Sequence, residues 1–464
     1  MKQLLKIISF GSIGALTTVL VTATLFENIY GSSFTAEHIY HSLWFIALWT
    51  LLAVTAMAYI FSSSRRFTLV LLHASFVMVL LGALVSFLTS KRGDLTISED
   101  GAPASMFEMS DGRLERLPFR LQLTSIDTIY THNSGQHSDY KAHILIDNKK
   151  ESITLTASLN RPMKFEGYSF CIKGVADSNL SLLVSHDTAG RAISYAGYLM
   201  VFISFLLLFF DKQSGFQRIL QQLQEKNNCK KKESTLGSAL KRVLWRVLPV
   251  IFILLCLLWW QNGVFPVTNS EKSLLLLAVV VATFAVAFRR TQKLSHLSKP
   301  LIILAATVAI VGTFSLGQND NIQPILRTPL LSIHVTVIII AYALLCCTAI
   351  NAIIALCTKN SEKRTMQALL GRALLYPATM FLAGGIFIGA VWANISWGRY
   401  WGWDPKEVWA LITLLLCSIA FHTRSLRFIS KPVVFHIFCI VAFATVLFTY
   451  FGVNYLLGGL HSYM

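Results

Sequence analysis

The sequence predicts a polytopic α-helical membrane protein of about 11 transmembrane helices that carries one small extracytoplasmic antiparallel β domain. Three observations predict it. Hydrophobic residues make up 54% of the 464 positions and charged residues 14%, with mean hydropathy +0.58, a balance far from that of a soluble globular chain. Apolar segments at 7–26, 43–61, 67–89, 192–210, 246–261, 273–288, 300–316, 335–357, 373–393, 405–422 and 433–453 are mostly near the ~20 residues that a helix needs to cross a bilayer. Between the third and fourth lies one long aqueous stretch in which apolar and polar residues alternate, the period of a half-buried strand.

Residues 1–90 form an N-terminal membrane module of three spans. The first span follows Lys2 and Lys6 like a signal peptide, but no small-x-small cleavage pattern comes after it, and Glu27-Asn28-Ile29-Tyr30-Gly31 leads on toward the second span. Residues 91–191 are the aqueous domain. Its strands are expected at Phe119–Leu123, His143–Ile146, Ile153–Thr156, Tyr168–Ile172 and Leu182–Val184, with Asp147-Asn148-Lys149-Lys150 as a hairpin loop and no catalytic constellation. The fourth span, 192–210, is followed by a polar Gln/Lys-rich cytoplasmic linker at 211–245, and residues 246–464 hold the remaining seven spans. The chain shows no internal repeat.

The formal charge of +17 is topological. With the N-terminus in the cytoplasm, the inner segments carry 24 of the 40 Lys and Arg, whereas the short outer loops keep only Lys272, Arg327, Arg399 and Lys406. Lys230-Lys231-Lys232 therefore reads as a solvated linker beside membrane lipid, and no nucleic-acid partner is expected. Of eight cysteines only Cys171 is expected in water on the outer side, so no disulfide framework is implied. The sequence has neither a Cys-x-x-Cys-His motif nor a Walker-type phosphate loop, which excludes a c-type cytochrome and an ATP-driven motor within this chain.

The chemistry is concentrated at Trp397–Trp409, where Trp397, Trp401, Trp403 and Trp409 crowd among Arg399, Asp404, Lys406 and Glu407 between two apolar segments. Tryptophan also forms anchoring belts at membrane interfaces. Four in so short a water-facing segment, with Trp392 just upstream, fit a surface for a flat apolar ligand better. Asp404, Pro405 and Glu407 occupy the N-cap, N1 and N3 positions of a helix start. From Asp404 a helix of about 27 Å reaches His422.

Histidines sort into two layers. His334 and His461 flank spans on the outer side, while His73, about 10 Å of helix rise inward from Arg66, and His422 belong to the inner half of the membrane. A lone histidine in a membrane helix commonly bonds a neighbouring helix. Two pairs at two depths fit iron ligation, with His436 and His296 as competing positions.

The run Trp397 to Trp409, Phe421-His422-Thr423-Arg424 and the ending Gly452 to Tyr463 resemble the heme-handling WWD proteins, specifically the CcsA (ResC) component of System II cytochrome c synthesis, over about residues 245–464. The front half resembles the CcsB (ResB) component through Phe26–Gly31, Trp44-Phe45, His73 with Leu81-Gly82-Ala83, and Leu159-Asn160-Arg161-Pro162-Met163 with Gly167-Tyr168. Two departures, a short outer domain and no tryptophan just before His334, bear on client docking more than on heme.

The resemblance implies a fused holocytochrome c synthase of the heme lyase type in a bacterial cytoplasmic membrane, facing the periplasm. It implies heme b as substrate and bound ligand, held by His73 and His422 within the membrane and by His334 and His461 outside, with Trp397, Trp401, Trp403, Asp404 and Trp409 as platform. Arg399 and Lys406 are the expected propionate partners. The implied partners are an apocytochrome c with Cys-x-x-Cys-His and thioredoxin-like thiol reductants. A heme exporter or carrier without ligase activity, and a b-type electron-transfer protein, need the same ligands and stay open.

Overall fold

The computed structural model describes residues 1–63, 66–109, 111–130, 137–148, 151–176, 178–228, 270–291, 293–314, 326 and 328–457. The expected span 246–261, Lys230-Lys231-Lys232, the hairpin tip Lys149-Lys150 and His461 lie outside the described residues. Among the described residues nine helices are long and apolar enough to cross a membrane.

The front half comprises α1 (Lys2–Tyr30), a short turn ending in a π-helical stretch at Ala36–Tyr40, α2 (Leu43–Ser63), α3 (Phe67–Thr89), the β domain, and α4 (Ala189–Phe210). Helices α3 and α4 pack along a seam of small residues. A Cβ on Gly82 would strike the Ser194 backbone, one on Gly190 the Ser86 backbone and one on Gly197 the Val79 backbone. In hydrocarbon, where no hydrophobic force drives helices together, such close backbone approach supplies the packing. The two helices enter and leave the β domain, and Ser86 Oγ donates to Asp187 Oδ2 at the ends that join it (2.5 Å).

The domain is one antiparallel sheet of eight strands: β1 (Lys91–Ser98), β2 (Ala104–Met109), β3 (Leu114–Tyr130), β4 (His137–Asn148), β5 (Glu151–Ser158), β6 (Met163–Phe165), β7 (Tyr168–Ala176) and β8 (Asn179–His186), in spatial order β5-β4-β3-β2-β1-β8-β7-β6. The five expected strands fall within β3, β4, β5, β7 and β8. Strands β1, β2 and β6 were not anticipated. In β1 the buried side alternates through Gly93, Leu95 and Ile97, and a glycine in that row hides the period. Leu121, Leu123, Ile144, Ile146, Phe170, Leu182 and Val184 form the single core of this domain.

The described part of the expected linker is largely helical. After α4 the chain forms an amphipathic helix, α5 (Gly215–Asn228), whose Phe216, Leu220 and Leu223 are buried. Phe216 meets Tyr376 edge-on at 5.5 Å, and Lys293 Nζ donates to the Leu223 carbonyl (2.8 Å). This part of the linker is thus docked on the second half.

The second half contains α6 (Ser270–Arg289), α7 (Ser295–Phe314), α8 (Pro329–Cys357), α9 (Ser361–Trp397), α10 (Pro405–Ile419) and α11 (Pro432–Leu447), the last continued by a π-helical stretch to Leu457. Helix α8 starts with Pro329 at N1 behind Thr328, whose Oγ1 accepts from the Leu331 N–H (3.2 Å). The span expected at 405–422 is a helix of only 15 residues, shorter than the ~20 needed to face lipid throughout. Val408 and Ile412 bury it against Leu16 and Leu20 of α1 and against Phe45 of α2. An interior helix need not match the bilayer.

Candidate functional site

The tryptophan segment is a tight turn between α9 and α10. Gly398 ends α9 in the left-handed conformation (φ +65°), with Leu183 of β8 pressed where a side chain would stand, so this position needs glycine for both reasons. Trp403 is also left-handed (φ +56°), which costs a bulky residue about 1–2 kcal/mol. The next four residues hold it there. Asp404 Oδ1 accepts from the Lys406 N–H (3.0 Å), Pro405 sits at N1, and Glu407 Oε2 accepts from the N–H groups of Gly402 (2.8 Å) and Asp404 (3.3 Å), completing a capping box.

The front half supplies the walls of the turn. Trp403 stacks on Tyr40 with centroids 4.7 Å apart and planes 6° from parallel, and meets Phe45 edge-on at 5.3 Å and Trp401 edge-on at 5.7 Å. Trp409 lies 4.0 Å from Phe448, and its Nε1 donates to Thr24 Oγ1 (3.3 Å). Trp397 meets Trp392 at 4.7 Å and packs with Leu331 of α8. A water-facing platform was expected; none of the four indoles is exposed. Each aromatic face left to solvent alone would forfeit apolar burial, so the fold closes the platform from the side with its own rings.

Polar atoms are orphaned in the same place. Glu27 Oε2, the Tyr40 hydroxyl and Trp401 Nε1 are buried without a hydrogen-bond partner. Burial, then the Glu27 and Asp404 carboxylates, push the Tyr40 phenol above its ordinary range, so it stays a donor. Buried unpaired donors and acceptors around an aromatic turn fit a site completed by a ligand with an apolar plane and a polar rim.

The β domain sits on the other side of the turn. Arg92 Nη2 of β1 donates to the Gly398 carbonyl (3.2 Å), Cys171 Sγ of β7 donates to the Ile395 carbonyl (3.6 Å), and Ser396 Oγ donates to Asn160 Oδ1 (3.3 Å). Burial pushes the Cys171 thiol up to about 11. The Arg399 guanidinium lies over Gly402, where any Cβ would collide with it. Lys406 is half-buried at N2 of α10, with its backbone N–H spent on the cap.

Among the histidines, His73 of α3 and His422 come together with ring centroids 6.1 Å apart and planes at 88°. Each ring is fixed through Nδ1, His73 to the Leu69 carbonyl (2.8 Å) and His422 to the Ser418 carbonyl (2.9 Å). That tautomer leaves the Nε2 lone pairs available to a metal. His422 was expected at the end of one continuous helix; α10 stops at Ile419 and His422 follows in a turn. Phe10 stands edge-on to His422 at 5.3 Å, and Tyr59 bonds Ser425 (2.7 Å), so α1 and α2 help to frame the pair.

His334 lies in α8 with Nδ1 bonded to the Gly385 carbonyl (2.7 Å), its ring filling the space over Gly389. Its expected partner, His461, is outside the described residues. The competing positions have structural partners: His436 Nε2 bonds the Arg364 carbonyl (3.2 Å) and His296 Nε2 bonds Asn351 Oδ1 (3.1 Å). Sequence reasoning missed Tyr40, Glu27, Thr24 and Arg92. For Arg92 a signal existed, an arginine three residues beyond the end of a span, and Glu27 lies in the Phe26–Gly31 segment that carries the resemblance; Tyr40 and Thr24 carry no local signature.

Fold and site together define a polytopic membrane protein whose two modules share one aromatic turn and one histidine pair. The family described as Cytochrome C assembly protein matches residues 267–461, and the ResB-like family matches residues 62–210. The chain is 37% identical over 248 residues to the cytochrome c biogenesis protein CcsA of Chlamydomonas reinhardtii, covering 48% of this chain and 68% of that protein. It is 30% identical over 247 residues to CcsA of Solanum lycopersicum, covering 44% and 79%. It is 31% identical over 222 residues to protein NrfI of Wolinella succinogenes, covering 44% of this chain but only 24% of that protein. The chain belongs to the cytochrome c assembly family of heme-handling membrane proteins, with a ResB-like front half fused to it as in System II CcsB–CcsA proteins.

Proposed function

We propose that this protein is a holocytochrome c synthase that carries heme b through the membrane and joins its vinyl groups to the two thiols of a Cys-x-x-Cys-His motif in an apocytochrome c. In each addition the thiol sulfur bonds the inner vinyl carbon and the thiol proton ends on the outer one, so no oxidant is needed. Heme supplies the electrophile and the client the nucleophile; the enzyme positions them and ligates the iron. His73 and His422 hold heme within the membrane, His334 and His461 hold it at the outer turn, and Trp397, Trp401, Trp403, Asp404 and Trp409 form the turn's platform. Arg399 and Lys406 face the propionates. The membrane is the bacterial cytoplasmic membrane, the outer side is the periplasm, and thioredoxin-like reductants keep the client thiols free.

The observation that supports ligation over mere carriage is that the front half builds the tryptophan turn itself: Tyr40 stacks on Trp403 at 4.7 Å. A plain exporter with its own WWD turn needs no second module inside that turn. Co-expression with a Cys-x-x-Cys-His apocytochrome, in a host stripped of its own maturation system, tests the reading. Covalent heme stain on the client is expected. Heme bound to the membrane protein without covalent product would instead make it a carrier.

A further inference from the structure

We propose that Arg92 and Arg399 form one anion site beside the tryptophan turn, and that it takes carboxylates on the rim of the porphyrin. The inference rests on the reading that heme occupies the turn. It assigns the ResB-like β domain a direct share of the ligand, through a residue that neither the turn nor the histidine pairs contain.

Arg92 stands in the first strand after α3, beneath the turn. Its Nη2 is spent on the Gly398 carbonyl at 3.2 Å, while its Nε is buried with no partner. Arg399 is the next residue along the turn and is kept over the Gly402 backbone by the absence of a side chain there. Neither guanidinium is in an ion pair with a carboxylate among the described residues. Asp187 is the acid that faces Arg92, but its oxygens already accept from Ser86 Oγ (2.5 Å) and the Arg191 N–H (3.3 Å). His41, near Arg92, adds no negative charge and has its own pKa lowered by burial and by Arg92.

Two neighbouring cations with one facing carboxylate, Asp187, no direct ion pair to it and a buried unsatisfied donor on Arg92 favour a further anion that arrives with the ligand. A guanidinium fork matches a carboxylate in two-point geometry. The flat aromatic wall beside it selects an anion attached to a planar apolar body over a free phosphate or a lipid headgroup. Burial is the largest cause that drives the Arg92 pKa down, and the Arg399 charge is the next; the charge of a bound carboxylate opposes both.

The test compares hemin with hemin dimethyl ester, whose carboxylates are capped, titrated into the purified full chain and read at the Soret band. The wild type should bind the free acid about tenfold more tightly than the ester. Arg92→Gln and Arg399→Gln should each lose most of that preference while keeping their affinity for the ester, and Arg92→Lys should fall between. Arg399→Gln removes no bond to the β domain, so it carries the test even if Arg92→Gln loosens that domain. An undiminished preference in Arg399→Gln and Arg92→Lys overturns the proposal, as does a wild type that binds both porphyrins equally. A wild type that binds neither porphyrin would overturn the heme reading itself.

Discussion

At the residue scale the proposed iron ligands and the side chains that shape the aromatic turn should fail differently. His73 and His422 leave two Nε2 lone pairs within one short gap, a bis-imidazole arrangement for low-spin iron. If heme enters by this pair, His73→Gly or His422→Gly should leave little heme anywhere in the protein. Trp403→Ala should instead remove about 1–3 kcal/mol of ring packing at the turn and still load the inner pair. Heme per protein and covalent cytochrome yield, at matched membrane levels, separate the cases. If the tryptophan variant is as empty as the histidine variants, or the His73 variant keeps normal output, the path from inner pair to outer turn is wrong. The proposed ligand His334 has a probe of its own: Gly389→Ala puts a methyl group into its imidazole. It should displace the ring and mimic the loss of His334, with added imidazole partly restoring the outer spectrum.

At the element scale the α3–α4 seam and the sheet it carries behave as one unit. Gly190→Leu drives a branched side chain into the Ser86 backbone, where no rotamer change relieves the overlap. It should sharply reduce the yield of folded protein, read by size exclusion in detergent, whereas Gly174→Ala, with open space around its Cβ position, should not. Docking of the β domain has its own probe in Cys171. With the thiol pushed to about 11, only about one molecule in a thousand is thiolate at pH 8, so maleimide should label Cys171 very slowly in the native protein and quickly once the sheet unfolds. Rapid native labelling would mean that β7 does not sit on the turn. Much at this scale is legible in the sequence. The apolar runs mark nearly every described helix, and Asp404-Pro405-Lys406-Glu407 announces a capping box that the structure contains. What escapes is what depends on neighbours. The shortness of α10 follows from its interior position between α1 and α11, and β1 hides its period behind Gly93. The docked helix α5 lies in a segment whose polar composition reads as linker.

At the scale of the whole molecule the two modules are interleaved. Tyr59 and Ser425, Thr24 and Trp409, Tyr40 and Trp403, and Arg92 and Gly398 each pair one half with the other. No local pattern in either half could reveal these pairs, because a side chain carries no mark of a partner hundreds of residues away; the tryptophan turn is readable, but the rings that wall it are not. Cleaving the polypeptide within 229–245 should therefore leave a complex. Fragments 1–228 and 229–464, produced together, are expected to co-purify and to retain heme, and fragments that separate in mild detergent would contradict the interleaving.

Thr24 and Trp409 are separated by 385 residues, and that distance has a meaning in time. A ribosome adding about 5–20 residues per second needs about 20–80 s to pass from one to the other. For most of that interval Thr24 has only the Val21 carbonyl of its own helix to bond and Tyr40 only Phe45 to pack on, and Trp403 does not yet exist to be twisted into its left-handed turn. The aromatic turn can therefore close only after both halves have been made, and its closing reports that synthesis has passed Trp409. A product released before Trp397 keeps Thr24 and Tyr40 but never acquires the turn that they wall.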